Sequence, residues 1–358
     1  MPGMTQVFTW KRVCNDYALN VPETPNLDDL DRDLIAALQH APRAPVNVLA
    51  DVLDTSPSTV KRRMHRLLAE RLVRVIGQLA WSAFSDAHPR HVWISTAPGQ
   101  AQDVARRLAA RPEIQLVAIT SGRADVYCVA HPPSREHVRD LLTRDIPSVP
   151  GVAATQSDLV LRAVTRADSW RLDRLSAEQV AALAPRSDPP PTAARPGPLS
   201  DQETRAARLL HADARLNSGD LARALGASQS TAYRLIQSLL ERGVVRPRVE
   251  VEPALLGMRL EAVLSVSAAA GSIADVGTAL ARHRSARYVS VVAGASSVIH
   301  HGAFRDEDQL ADFLSDDLAG IPGVTAVQVS VVLDVLRRYW IHRSGVRLGE
   351  PVPLLTPG

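Results

Sequence analysis

The side chains best suited to chemistry lie between Thr55 and Arg74, in the stretch TSPSTVKRRMHRLLAERLVR. Residues 56–74 carry six basic side chains and one acidic side chain, namely Lys61, Arg62, Arg63, Arg66, Arg71, Arg74 and Glu70. Lysine and arginine neutralise nucleic-acid phosphates, and arginine also pairs in a bidentate manner with guanine O6 and N7. The alternative is a solvated amphipathic helix, because all but two of the 41 Lys and Arg residues in this chain are arginine. Charge alone therefore does not decide between a helix that binds nucleic acid and a solvated amphipathic helix.

The same stretch has the signals of a helix with one apolar stripe. Ser56 is placed to cap the helix, and Pro57 suits the first helical position. Val60, Met64 and Leu67 recur at helical spacing, which leaves Arg62 on the opposite side. Arg62 or Arg66 could reach guanine, while Lys61 and Arg63 are better placed for phosphates. The candidate DNA contacts of this helix are Ser56, Ser58, Thr59, Lys61, Arg62, Arg63 and Arg66.

The chain repeats itself at a constant offset of 172 residues, and this repeat predicts a second helix of the same pattern. Ser56, Ser58 and Thr59 recur as Ser228, Ser230 and Thr231, and Pro150-Gly151-Val152 recurs as Pro322-Gly323-Val324. Residues 228–246 carry three basic side chains and one acidic side chain. The candidate DNA contacts in this copy are Ser230, Thr231, Arg234 and Gln237. We therefore expect two unequal DNA-reading helices, of which the first supplies more of the binding energy.

The elements that position these helices follow from the hydrophobic spacing of each copy. Three helices and a strand pair are predicted first, which is typical of a winged helix-turn-helix whose third helix enters the major groove. An order of β-α-β-β-α-β follows, which is typical of a ferredoxin-like fold. The fold class is thus α+β. The predicted units are an N-terminal extension (1–26), a winged helix-turn-helix (27–82), a βαββαβ domain (88–166), a proline-rich linker (167–198), a second winged helix-turn-helix (199–254), a second βαββαβ domain (258–342) and a C-terminal tail (343–358).

Several quoted segments, taken in order, resemble the leucine-responsive/AsnC ("feast/famine") family of transcription regulators. Copy one carries LDDLDRDLIAALQ, LADVLDTSPSTVKRRMHRLLAERLV, SGRAD and IPSVPGVAATQSDLVL; copy two carries LARALGASQSTAYRLIQSLLERGVV and DDLAGIPGVTAVQVSVVL. The resemblance covers roughly residues 27–165 and 199–340. It implies that the first domain binds double-stranded operator DNA, and that the βαββαβ domain dimerises and binds a small effector, often an amino acid. Such proteins commonly form homo-oligomers, and two copies in one chain could form an intrachain pseudo-dimer.

The resemblance also implies an effector loop with a glycine followed by an aspartate. Gly122 and Asp125 match it, with Thr120, Ser121 and Thr155 as weaker candidates. Copy two keeps Gly294 but has Ser297 in place of the aspartate, which puts its ligand site in doubt. The alternative for Gly122 and Asp125 is a hairpin turn capped by a carboxylate. A second departure is Arg71, which stands where copy two has Gly243 after the third helix, so we expect the first wing to begin differently.

Other functions find less support in the residues. The two cysteines, Cys14 and Cys128, lack metal-ligand spacing, so the sequence predicts no metal and no cofactor. His300 and His301 would point to opposite faces of a strand. No secretion signal or membrane span is readable, which favours a cytoplasmic protein. The chain is expected not to be an enzyme. The alternative is a tetrapyrrole (siroheme-type) decarboxylase, a function found in proteins similar to this family. A third possibility is a ligand-binding or scaffolding module whose second helix-turn-helix has lost DNA contact.

Overall fold

A computed structural model describes residues 25–166, 170–186 and 197–352, and both copies contain the same order of elements. The first copy contains α1 (Asp29–His40), α2 (Val46–Val52), α3 (Pro57–Ala69), β1 (Val73–Leu79), β2 (Arg90–Thr96), α4 (Ala101–Ala109), β3 (Ile114–Ser121), β4 (Val126–Ala130), α5 (Arg135–Asp140) and β5 (Val152–Thr165). Between the copies lies α6 (Ala177–Leu183). The second copy contains α7 (Asp201–Ala212), α8 (Ser218–Leu225), α9 (Gln229–Glu241), β6 (Val245–Val251), β7 (Leu260–Ala268), α10 (Ile273–Arg282), β8 (Ala286–Ala293), β9 (Val298–Phe304), α11 (Glu307–Asp312) and β10 (Val324–Arg338), and is followed by β11 (Ile341–Ser344) and β12 (Arg347–Pro351). The predicted α+β class is confirmed.

The helices that carry the candidate DNA contacts begin at the predicted caps. The Ser56 hydroxyl accepts a hydrogen bond from the Thr59 N–H at 3.1 Å, with Pro57 in the first turn of α3. Ser228 does the same for the Thr231 N–H at the start of α9. These caps satisfy N–H groups that have no partner within the helix. The start of each third helix is therefore fixed by its own sequence.

Between α3 and β2, and likewise between α9 and β7, each copy has one strand instead of the expected strand pair. β1 pairs antiparallel with β6, from Val73 opposite Val251 to Leu79 opposite Val245. After β1 the chain turns into a short 3-10 helix at Trp81–Ala83, and after β6 it does the same at Pro253–Leu256. No second strand of a local wing can form there, so each copy supplies one strand of a shared two-stranded sheet.

This exchange completes the core of each helix-turn-helix unit with residues of the other copy. The core around α1 includes Val249, Val251 and Leu255 from the second copy. The core around α7 has Leu79 and Phe84 of the first copy packed against it. Burial of apolar surface is the main force that stabilises such small helical units. The two helix-turn-helix units therefore depend on each other for stability.

The strands of the two βαββαβ domains close into one eight-stranded barrel. Their order is β10-β3-β4-β2-β5-β8-β9-β7, and β7 pairs back to β10. The long strands β5 and β10 make the closure, because β5 pairs with β2 and then β8, while β10 pairs with β7 and then β3. Helices α4 and α10 pack against the outer face, and Trp93, Tyr127 and Ile299 of both copies fill the interior. The two copies thus form an intrachain pseudo-dimer.

Part of the predicted linker is a helix that packs against the first helix-turn-helix unit. Ser176 and Gln179 form a capping box at the start of α6, and Leu183 is fully buried. The Gln179 amide donates to the Val52 carbonyl at 2.8 Å, and the Leu172 N–H donates to the Gln39 side chain at 2.8 Å. The hairpin β11–β12 likewise spans the predicted boundary at residue 343 and includes the first part of the predicted C-terminal tail. Residues 167–169, 187–196, 353–358 and most of the N-terminal extension lie outside the described residues.

Candidate functional site

The outer face of α3 exposes part of the predicted DNA-contact set. Ser58, Lys61 and Arg62 are exposed, and Thr59 is half-buried. The Ser56 hydroxyl oxygen lies 2.9 Å from the hydroxyl oxygens of both Ser58 and Thr59. Within the part of the chain that the structure describes, Lys61 and Arg62 form no hydrogen bond or ion pair. These two cations are therefore free to meet an external anion.

Arg63 and Arg66 are instead held by the start of α1, which differs from the expectation that they face DNA. Arg63 donates to both carboxylate oxygens of Asp28, at 2.8 and 2.7 Å, and to Asp31 at 2.9 Å. Arg66 forms an ion pair with Asp31, whose side chain is only 1% exposed. The hydrogen bonds to Asp28 and Asp31 raise the pKa of Arg63, while the Asp31 N–H and Arg63 lower the pKa of Asp28. Both arginines lie on the side of α3 that packs against α1, so they anchor the helix.

The second third helix, α9, presents a different surface. Ser230 and Arg234 are exposed, while Thr231 and Gln237 are half-buried. Tyr233 is 57% exposed and stands where the first copy has Lys61. Ser230, Tyr233 and Arg234 line a shallow surface depression together with Ser218 and Gln229. Tyr233 was not among the predicted contacts, although its place outside the apolar stripe of α9 is a signal that the sequence contains.

The predicted effector loop connects β3 and β4, and its polar side chains close the hairpin. The Thr96 N–H and hydroxyl donate to one Asp125 carboxylate oxygen, at 2.7 and 3.1 Å. The Thr120 hydroxyl donates to the Ala124 carbonyl at 2.7 Å. In copy two the Ala268 N–H donates to the Ser297 hydroxyl at 3.2 Å, and Ala268 is the counterpart of Thr96. Asp125 and Ser297 therefore have the same capping role, as the alternative interpretation of this loop requires.

The glycines of the two loops allow the copies to approach each other closely. Gly122 has φ of +107°, and a Cβ there would lie 2.5 Å from the Val329 carbonyl oxygen of the other copy. A Cβ on Gly294 would lie 1.9 Å from the Asp158 carboxylate. Ser121 is exposed beside Gly122, whereas Thr155 lies on β5 and is separated from the loop by β2. The structure thus brings Thr120, Ser121, Gly122 and Asp125 together and leaves Thr155 apart.

The space between the copies at these loops is occupied by Arg123. Its guanidinium lies 4.6 Å from the centre of the Trp93 ring, 3.7 Å from the Asp158 carboxylate and 2.9 Å from the Ser265 hydroxyl. Trp93 Nε1 also donates to Asp158 at 2.8 Å. The 172-residue counterpart of Arg123 is Ala295. This end of the barrel is thus closed from within by side chains that the sequence did not single out.

A cavity of about 230 Å³, called the junction cavity below, lies between the β1–β6 sheet and the barrel. Its residues are Gln78, Leu79, Ala80, Trp81, Ser82, His88, Pro89, Gln115, Leu116, Val129, His131, Val160, Leu161, Arg162, Ala163, Arg166, Arg246, Tyr288, His301, Tyr339 and Trp340. Trp81 stacks on Trp340 at 5.8 Å, and His131 meets the edge of Trp81 at 4.6 Å. Burial lowers the pKa of His131 to about 3, so this imidazole is neutral. No residue of this lining was predicted as a site.

The histidine pair and Cys128 have the places that strand geometry predicts. His301 faces the junction cavity and lies 2.7 Å from the Tyr127 hydroxyl, while His300 stacks on Phe313 on the opposite face of β9. Cys128 is buried on β4, and burial raises the pKa of its thiol. Among the described residues, no three His, Cys, Asp or Glu side chains come together as metal ligands. No helix among them is both long and apolar enough to cross a membrane.

Comparisons with known proteins agree with this arrangement. The AsnC-type helix-turn-helix domain matches residues 27–68, and the Lrp/AsnC ligand binding domain matches residues 91–170 and again 261–340. The HTH-type transcriptional regulator AldR of Mycobacterium tuberculosis is 33% identical over 147 residues, which are 40% of this chain and 82% of AldR. This chain belongs to the Lrp/AsnC family. The second helix-turn-helix of this Lrp/AsnC protein matches the IclR helix-turn-helix domain, at residues 205–248.

Two further comparisons concern a second regulator and a solved structure with a similar fold. The regulator LrpA of Pyrococcus horikoshii is 25% identical over 130 residues, which are 36% of this Lrp/AsnC chain and 92% of LrpA. The crystal structure of the siroheme decarboxylase NirDL aligns with 87% of this chain and 93% of NirDL, with a TM-score of 0.59 and 12% identity. At that identity the likeness shows a shared fold only.

Proposed function

We propose that this chain is a sequence-specific DNA-binding transcriptional regulator whose DNA binding or assembly responds to a small effector. The observation that carries the proposal is the joint presence of an AsnC-type helix-turn-helix and two Lrp/AsnC ligand binding domains in one chain. The HTH-type regulators AldR and LrpA match it over most of their own length. The exposed cations of α3 supply the chemistry that phosphate and guanine binding need.

The roles of individual residues follow from their exposure and contacts. Arg62 is the proposed guanine reader of α3, and Lys61 binds phosphate. Ser58 and Thr59 lie in the first turn, where small polar side chains and N–H groups meet the DNA backbone. In α9, Arg234 has the role of Arg62, and Ser230, Thr231, Tyr233 and Gln237 complete its surface. Ser56 and Ser228 act through the caps, and Arg63 and Arg66 hold α3 in position.

Gel-shift titration of the purified chain tests this proposal, with a probe recovered by genome-wide pull-down from the host. Loss of one base contact typically costs about 1–3 kcal/mol in binding free energy, and loss of one phosphate contact lowers the salt slope by about 1. We therefore expect Arg62→Ala and Arg234→Ala each to weaken specific binding at least fivefold. Arg139→Ala is the matched control, because Arg139 is exposed on α5 of the barrel. Unchanged affinity of both variants would refute the assignment of these helices.

The tetrapyrrole decarboxylase alternative rests on the fold that this chain shares with NirDL. An absorption spectrum of the chain mixed with siroheme distinguishes the two functions. A shifted tetrapyrrole band together with product formation would favour the enzyme, whereas the regulator requires a shifted DNA band and no decarboxylation.

A further inference from the structure

We infer that the space between the two copies at the β3–β4 loop is a binding site for a guanidinium group, which the chain fills with its own Arg123. A free guanidinium compound occupies the same place when the Arg123 side chain is absent, and must displace that side chain in the unaltered chain. This space is called the guanidinium site below. That its occupancy alters DNA binding rests on the proposed function, whereas the binding itself does not.

The first argument is that the partners of Arg123 form a complete receptor for a planar cation. The guanidinium carbon lies 4.6 Å from the centre of the Trp93 ring, and its nitrogens lie 3.7 Å from the Asp158 carboxylate and 2.9 Å from the Ser265 hydroxyl. The Gln156 side-chain oxygen accepts a further hydrogen bond at 2.6 Å. Each of these groups suits guanidinium, which stacks on aromatic rings and pairs with carboxylates.

The deep wall of this receptor is held in place by contacts other than those to Arg123. Trp93, Asp158 and Ser265 are each at most 3% exposed. The Asp158 carboxylate also accepts hydrogen bonds from Trp93 Nε1 and from the Ala295 N–H, both at 2.8 Å. A buried carboxylate needs hydrogen-bond donors and an opposite charge, because its desolvation is costly. The neutral donors fix the position of the carboxylate, and Arg123 supplies the opposite charge.

The second argument is that both copies build the guanidinium site, with the large and charged residues in one of them. Trp93 and Asp158 of the first copy have Ser265 and Ser330 as their counterparts 172 residues later. Both serines contact Arg123, the first through its guanidinium and the second through its backbone N–H at 3.3 Å. A tryptophan at position 265 would extend into the volume of the guanidinium. The small serines therefore leave room for one cation between the copies.

The third argument is that Arg123 belongs to a loop, so its side chain can be exchanged without breaking the pairing of β3 and β4. The loop from Gly122 to Asp125 has four residues, and Gly122 is exposed. Gln156 is also exposed, so the site opens to solvent on that side. A tethered group competes with free ligand at an effective concentration in the millimolar range. The unaltered chain should therefore bind a free guanidinium compound more weakly than a chain without this side chain.

Ligand-observed NMR titration of the full chain tests the inference with a matched pair of cations. Ethylguanidinium is the part of the side chain that Arg123→Ala removes, and ethylammonium has the same charge without the planar group. We expect ethylguanidinium to bind Arg123→Ala at least tenfold more tightly than the unaltered chain, and at least fivefold more tightly than ethylammonium binds this variant. Adding Asp158→Asn to Arg123→Ala should weaken this binding at least fivefold. Arg139→Ala, exposed on α5, is the control and should bind ethylguanidinium as the unaltered chain does.

Circular dichroism establishes whether each variant is folded, and Arg123→Ala should melt at a higher temperature with ethylguanidinium than with ethylammonium. The inference is overturned if ethylguanidinium binds Arg123→Ala no better than the unaltered chain, or if ethylammonium binds equally well. Unchanged binding in the folded double variant would have the same meaning. An Arg123→Ala variant that stays unfolded with ethylguanidinium present would also overturn it, because a free cation would then not replace the lost side chain.

Gel shift on the same samples separates this inference from the proposed function. DNA binding by Arg123→Ala without ethylguanidinium binding leaves the regulator standing and removes the guanidinium site. Ethylguanidinium binding by Arg123→Ala, with no DNA binding by the unaltered chain, does the reverse.

Discussion

Ile76 and Arg248 lie opposite each other at the centre of the β1–β6 sheet, and they are the same position of the two copies, 172 residues apart. The flanking pairs exchange with each other under the repeat: Val73 faces Val251, the counterpart of Leu79, and Leu79 faces Val245, the counterpart of Val73. A local pseudo-twofold axis therefore passes between Ile76 and Arg248. The third helices α3 and α9 end just before these strands, so the same axis relates them.

The first prediction concerns the operator. A twofold relation between two DNA-reading helices favours an inverted repeat whose half-sites lie about 10–10.5 base pairs apart, or a multiple of this spacing. Because α3 exposes Lys61 and Arg62 where α9 exposes Tyr233 and Arg234, we expect the two half-sites to differ in sequence. Hydroxyl-radical footprinting should show two protected segments, with Arg62→Ala and Arg234→Ala weakening opposite ones. Protection of a direct repeat, or of one segment only, would contradict the pseudo-twofold arrangement.

The sequence predicted the type and order of most elements because those depend on local signals. The caps at Ser56 and Ser228, the apolar stripes and the 172-residue repeat are all readable without a structure. The pairing of β1 with β6 could not be read from the sequence, because strand partners are set by contacts between residues more than 160 positions apart. For the same reason the closure of the barrel through β5 and β10 could not be derived.

The partners of individual site residues could not be predicted for a related reason. Helical spacing placed Arg63 and Arg66 at the sides of α3, but it could not reveal that Asp28 and Asp31 of another helix lie beside them. Arg71 shows the opposite error. It was expected to change the start of β1, yet its φ of +59° matches the +65° of Gly243. The surrounding structure imposes the left-handed conformation, at a cost of about 1–3 kcal/mol for a residue other than glycine.

The second prediction is that neither copy is stable alone. Each helix-turn-helix core contains residues of the other copy, and each half of the barrel would expose two unpaired strand edges. Fragments 1–186 and 197–358, expressed separately, should therefore self-associate or unfold without cooperativity. Mixed in equal amounts during refolding, they should form a 1:1 complex by analytical ultracentrifugation. Two monomeric fragments, each with a cooperative unfolding transition, would show that the shared cores are dispensable.

The third prediction separates the anchoring role of Arg63 from DNA contact. Hydrogen bonds to charged groups contribute about 1.5–3 kcal/mol each, so Arg63→Ala should lower the free energy of unfolding by about 1–3 kcal/mol. Arg62→Ala, one residue away and exposed, should change it by less than about 0.5 kcal/mol. Urea unfolding gives both values, and a double-mutant cycle with Asp31→Asn should show coupling between Arg63 and Asp31.

For DNA binding, the same two variants should differ in the opposite direction, with the loss in Arg62→Ala and not in Arg63→Ala. The dependence of affinity on salt concentration should keep its slope in Arg63→Ala, because no phosphate contact is lost. A slope reduced by about 1 in Arg63→Ala, with normal stability, would restore Arg63 to the DNA-binding set.

The fourth prediction concerns acid stability. Burial lowers the pKa of His91, His131 and His300 to about 3 each, against about 6.5 in an unfolded chain. The unfolded state therefore binds more protons than the folded state between these values, and the free energy of unfolding falls as the pH drops below about 6.5. Each such histidine contributes a slope of up to about 1.4 kcal/mol per pH unit.

Urea unfolding at pH 7.5, 6.5 and 5.5 measures the total slope. His300→Leu removes one titrating group that stacks on Phe313 in the core, so its slope should be smaller by one such contribution. Equal slopes in the unaltered chain and His300→Leu would mean that His300 accepts a proton in the folded state, which its full burial makes unfavourable.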